Sequence, residues 1–113
     1  MRLINQTKNT VLAEDVFIAK SSFTRIKGLL GRRNFACGQA LILDPCNSIH
    51  TFFMHFPIDA LFVDKNYKVL GTLDNIKPNR LSRIYWSSSK VIELPAGVIK
   101  STNTQKDDLI QIE

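Results

Sequence analysis

The chain has 113 residues, 44% of them apolar and 22% charged, and a net charge of +5. That length and balance fit one globular domain with a core of its own, so no disulfide framework is required, and Cys37 and Cys46 read as reduced thiols of a cytoplasmic protein. No stretch approaches the ~20 apolar residues of a membrane helix, and residues 1–20 lack the apolar run of a signal peptide.

The opening residues predict a β-hairpin, with strands over 2–6 and 11–19 about a Lys8–Asn9 turn. Ser21 or Ser22 is placed to cap a short helix through residue 30, with Phe23, Ile26 and Leu30 spaced for one face. Gly31 then offers the left-handed conformation that commonly stops a helix. Residues 16–43 hold no acid but carry Lys20, Arg25, Lys27, Arg32 and Arg33. Such a stretch is either an ordinary solvated face or an attraction for an anion. No aromatic residues interleave these cations in the way single-strand binders stack bases, so nucleic acid is not indicated.

Residues 40–43 read as a buried strand closed by Asp44, Pro45 and Asn47. A further strand is predicted over 49–55, ended by Pro57, which cannot donate to a ladder. Residues 59–63 and 68–73 form a second predicted hairpin through a loop at 64–67. A polar loop follows over 74–83, then a strand at 90–94, a helical turn opened by Pro95, and a last strand over 108–112. Many short strands and one clear helix predict a mainly β (α+β) fold. The expected form is a small closed or partly open β-barrel with the short N-terminal helix packed outside.

With the strands placed, three segments carry a resemblance: TRIKGLLGRRNFACGQALIL, CNSIHTFFMHFPIDALFVD and VIELPAGVIKSTNTQKDDLIQIE. Together they resemble the family called domain of unknown function 192, in that family's order and over nearly the whole chain. The matching positions are Arg25, Gly28, Leu29, Gly31 and Arg32. The central segment adds Cys46, Ser48, His50, Thr51, Met54, Phe56, Pro57, Ile58, Asp59 and Asp64, and the last adds Leu94, Pro95, Ala96, Gly97 and Asp108. His55 departs from the basic residue that many relatives carry, and Asp107 stands where Gly is usual before the final acid. The resemblance implies no agreed activity. The closing motif also looks like the turn signature of cradle-loop barrels, in which an acid such as Asp108 binds loop amides. Asp107 would then take a backbone conformation suited to Gly, which Asp tolerates better than most residues.

Cys37, Cys46, His50 and His55 invite a zinc reading, but four ligands must converge on one ion. On a strand, His50 would share a face with Phe52, Met54 and Phe56 while His55 points the other way, so no metal and no cofactor is expected. Cys46, His50 and Asp59 invite a nucleophile, base and orienting acid, a geometry that spacing alone does not supply. The same residues suit the mouth of a small barrel, where Ser48, His50 and Asp59 are polar groups on an apolar wall and Arg25 with Arg32 clamp an anion. Met54, Pro57, Pro95, Gly97, Asp108, Gly28 and Gly31 are taken as structural. The expected function is therefore a non-catalytic binding domain for a small anionic ligand or a protein partner. The alternatives are an enzyme, hydrolytic or thiol-dependent, using Cys46, His50 and Asp59, and a structural adaptor of a secretion or pilus assembly.

Overall fold

The computed structural model describes residues 1–20, 35–52 and 54–113. The helix expected over 21–30, its stop at Gly31, and Gly28 lie outside the described residues. Those residues form β1 (Leu3–Asn5), β2 (Thr10–Ala13), β3 (Asp15–Ala19), β4 (Gln39–Leu43), β5 (Ile58–Val63), β6 (Val69–Ile76), β7 (Lys90–Pro95) and β8 (Ile110–Ile112). A single helical turn, α1 (Val98–Ser101), separates β7 from β8. The strands build two sheets, one ordered β2-β1-β8 and the other β3-β4-β7-β5-β6. β3 and β4 run parallel, and the other pairs are antiparallel.

The mainly β expectation holds, but among the described residues the two sheets do not close into one barrel. They meet along two seams instead. At the first, the strand expected over 11–19 breaks at Glu14, and the chain leaves one sheet for the other. The amides of Glu14 and Asp15 both donate to the Gly38 carbonyl there, at 2.8 and 2.9 Å. At the second, the Val69 amide donates to the Asp108 carbonyl and the Asp107 amide to the Val69 carbonyl, both at 2.8 Å.

That second seam is held by a buried polar cluster. The Asp108 carboxylate accepts from Asn5 Nδ2 at 2.9 Å, from Lys8 Nζ at 3.0 Å and from the Gln105 amide at 3.0 Å. Burial pushes the Asp108 pKa up, but the hydrogen bonds from Asn5, Gln105 and Lys8, with the Lys8 charge, outweigh it and leave the carboxyl below its ordinary range. Asp107 precedes it at φ +76°, the left-handed region in which Asp is tolerated better than most side chains.

The central strands of the five-stranded sheet, β4, β7 and β5, are buried on both faces, which explains why ALIL, IDALFV and VIELP read as nearly unbroken apolar runs rather than alternating ones. One face packs Ile42, Leu61, Val63, Ile92 and Leu94 against Leu3, Leu12 and Ile110 of the smaller sheet. The other packs Leu41, Leu43, Ala60, Phe62 and Val91 under Ile49 and Met54 of an irregular segment. Three further expectations are corrected. Residues 49–55 are not a strand, although His50 forms one isolated bridge with Leu81. The Met54 amide instead donates back to the Thr51 carbonyl at 3.2 Å, so the chain turns before Pro57. β6 runs on through Ile76, so the exposed loop begins later than residue 74, and β7 includes Pro95, so the helical turn begins only after Gly97.

Candidate functional site

The segment around residues 46–52 is clipped to the loop at 77–85 by side chains as much as by backbone. Thr51 is fully buried, and its hydroxyl donates to the Lys77 carbonyl at 2.7 Å while accepting from the Arg80 amide at 2.9 Å. Its own amide donates to the Arg80 carbonyl at 2.9 Å. Ser82 repeats the device one step along: its Oγ accepts from the Ile49 amide and its amide donates to the Ile49 carbonyl, both at 2.9 Å. Pro78 followed by Asn79 at φ +64° is the residue order that a tight turn with a left-handed second corner requires. Buried backbone groups are thus paired without a regular ladder.

Between these two segments and β6 lies a groove of about 320 Å³. Ile49, Leu73, Ile76 and Leu81 give it apolar walls, and Tyr85 closes one side. Thr51, Ser82, Arg80 and Arg83 add polar groups. The Tyr85 ring stacks on Phe62 with centroids 4.0 Å apart, and the Arg83 guanidinium lies 4.1 Å from the Tyr85 ring centre. Tyr85 can come so close to β6 because residue 71 is glycine, where an added Cβ would stand 2.6 Å from Tyr85 Cε2. None of Lys77, Arg80, Arg83 and Lys90 takes part in the ion pairs among the described residues. An apolar cleft of this size with a few convergent polar groups is the usual form of a small-ligand site.

The residues singled out from the sequence fall in different places. Ile49 and Thr51 point inward while His50 and Phe52 are exposed, their rings stacked 5.1 Å apart, and His50 Nδ1 accepts from the Phe52 amide at 3.3 Å. Met54 is buried and His55 exposed, because the turn at 51–54 shifts the alternation. His50 therefore shares its exposed side with Phe52 but not with Met54. Asp59 is 0% exposed near the start of β5. Its carboxylate accepts from the amides of Asn75 at 2.8 Å, Gly97 at 3.1 Å and Ile99 at 2.9 Å, so it ties β6 and α1 to β5. Burial raises the Asp59 pKa against the lowering effect of those three amides, and nearby Asp74 adds to the rise.

Cys46 is half-buried and its thiol donates to the Ser48 carbonyl at 3.0 Å, while Cys37 is exposed. The Cys46 thiol bond to Ser48, the His50 bond to Phe52 and the Asp59 bonds to Asn75, Gly97 and Ile99 thus share no partner. Among the described residues no three His, Cys, Asp or Glu side chains gather where a metal ion would sit. Pro57 is exposed, Pro95 is buried, and Gly97 has φ +101°. Arg25 and Arg32 lie outside the described residues.

Two features escaped the sequence reading. The groove draws its arginines from a second acid-free stretch, residues 75–92, which carries Lys77, Arg80, Arg83 and Lys90 and does interleave aromatic residues, Tyr85 and Trp86. The signal was available in the spacing of acids. Glu93 was also passed over, although an acid inside the apolar run VIELP is the kind of exception a doubly buried strand makes informative.

The profile of the family described as Uncharacterized ACR, DUF192, matches residues 3–112. A UPF0127 protein of Thermococcus sibiricus is 35% identical, the match covering 98% of this chain and 74% of that protein. A UPF0127 protein of Pyrococcus horikoshii is 31% identical, with 96% of each chain covered. Among solved structures, a protein of unknown function from Novosphingobium aromaticivorans matches with a TM-score of 0.85 at 17% identity, covering 99% of this chain and 84% of that one. A putative transcription regulator from Sinorhizobium meliloti matches with a TM-score of 0.80 at 23% identity, covering 97% and 89%. At these identities the two likenesses carry the fold alone.

Proposed function

This chain belongs to the family called domain of unknown function 192, and we propose that it is a binding module whose groove takes a small ligand with an apolar body and an anionic group. The observation that carries the reading is the pairing of apolar walls at Ile49, Leu73 and Ile76 with Arg80 and Arg83, which form no ion pair among the described residues. The apolar walls supply the burial that drives binding, and the arginines select an anion by charge-assisted hydrogen bonds. The Thr51 hydroxyl is already committed to Lys77 and Arg80, so it shapes the groove instead of offering a free donor. In this reading the anion clamp is Arg80 with Arg83. The sequence-based proposal of Arg25 with Arg32 stands beside it as a separate one.

The groove is near the small end of the ~300–1,000 Å³ range of ligand pockets, which favours a short amphiphile over a nucleotide-sized molecule. Octanoate is a suitable probe, with octanol as its uncharged counterpart. Thermal unfolding is expected to shift upward by several degrees with octanoate at millimolar concentration, and much less with octanol. Arg80→Ala with Arg83→Ala should abolish the octanoate shift while the protein stays folded, because the Arg80 backbone bonds to Thr51 survive truncation. Equal stabilisation by octanol, or a shift that persists in the double variant, would contradict the reading.

A further inference from the structure

Beyond the groove, we infer that the loop over residues 77–90 docks the protein on an anionic lipid surface, with Trp86, Ile84 and Leu81 entering the headgroup region. Three large apolar side chains stand in solvent within six residues: Leu81 is 71% exposed, Ile84 41% and Trp86 81%. Single exposed apolar residues are ordinary, but a cluster of them on one loop marks a surface that meets something. The same loop carries Lys77, Arg80 and Arg83, with Lys90 at its end and no acid anywhere from residue 75 to 92. Apolar anchors set among unpaired cations complement a surface whose headgroups are negative and whose interior is hydrocarbon.

The chemistry favours lipid over single-stranded nucleic acid, the other anionic polymer that aromatic and basic residues attract. A strand binder needs several open aromatic faces on which successive bases stack. Tyr85 cannot serve, since one face lies against Phe62 at 4.0 Å and Arg83 sits 4.1 Å from its centre. Trp86 is then the one exposed aromatic side chain of the loop, and its companions Leu81 and Ile84 are aliphatic. Aliphatic side chains suit acyl chains, and tryptophan is the residue most at home at the membrane–water boundary. The loop is fixed below by Thr51 and Ser82, so these side chains are presented from a held backbone.

Trp86 is the only tryptophan in the chain, so its fluorescence reports the contact directly. Mixed with vesicles of equal parts phosphatidylglycerol and phosphatidylcholine, the full chain should show a blue-shifted emission that lipids brominated in the acyl chains quench. Pure phosphatidylcholine vesicles should give little of either. In co-sedimentation, Ile84→Ser with Trp86→Ala, and separately Lys77→Glu, should each lower the vesicle partition coefficient roughly tenfold or more. Both variants lie outside the groove lining, so the octanoate-induced thermal shift should survive in them, and the two proposals fail independently. Unchanged emission with anionic vesicles, emission shifts without quenching, or displacement from vesicles by a single-stranded oligonucleotide at lower concentration would each overturn the inference.

Discussion

Glu93 occupies the interior of β7, in register with Leu41 of β4 on one side and Ala60 of β5 on the other. It is 6% exposed, no described residue hydrogen-bonds its carboxyl, and burial pushes its pKa up to about 8. A carboxyl in that position is held neutral because ionising it without a partner costs more than carrying the proton. The folded state therefore keeps a proton that the unfolded chain, with an ordinary Glu, gives up near pH 4.5. Stability from this group is present below that pH and is lost as pH rises toward about 8, at about 1.4 kcal/mol per unit of pKa difference. Asp59 contributes with the same sign, whereas Asp108, held below its ordinary range, loses its contribution as pH falls. Glu93→Gln should flatten the fall in stability between pH 5 and 9 by several kcal/mol, measured by urea unfolding at fixed temperature. Parallel pH profiles for the two proteins would show that Glu93 does not titrate as its burial requires.

At the scale of elements, legibility followed regularity. β4, the body of β5 and β7 were readable because strands buried on both faces leave runs such as ALIL and IDALFV, and the 59–73 hairpin because its loop residues are turn formers. The segment at 46–52 and the loop at 77–85 were not readable as a pair. They are joined by Thr51 and Ser82 to backbone groups about thirty residues away, and a hydroxyl in a sequence does not announce a distant amide. The break at Glu14 was not read from VLAEDVFIA, although two adjacent acids interrupt its apolar residues at the point where β2 gives way to β3. Gly71 is the hidden joint of this region, as β6 must pass beneath the Tyr85 ring. Gly71→Ala should force that ring off Phe62 and lower stability by about 1–3 kcal/mol, seen as a reduced urea midpoint with unchanged slope. An unaltered midpoint would mean that Tyr85 moves at no cost and does not close the groove firmly.

Across the whole molecule, two sheets are joined at seams, and the groove proposed to bind a ligand is walled by the irregular chain that covers one face together with β6. Asp59 illustrates why the candidate site was only half legible. It was read from its motif as a polar group on a ligand wall, yet its carboxylate is turned to the amides of Asn75, Gly97 and Ile99. A motif reports that a residue type matters at a position, and only the fold shows whether it serves ligand or backbone. The same motif contributes Ile49 and Thr51 to the groove lining, while His50 between them faces outward. Fold likeness to the Novosphingobium and Sinorhizobium proteins extends over nearly all of this chain, so the overall architecture is shared with them. The most direct test of the account is an octanoate titration followed by amide-resolved NMR. Shifts gathered at residues 49–51, 73–76 and 80–85, with Arg80 and Arg83 among the largest, are the predicted result, and shifts spread over β1, β2 and β8 or absent altogether would contradict it.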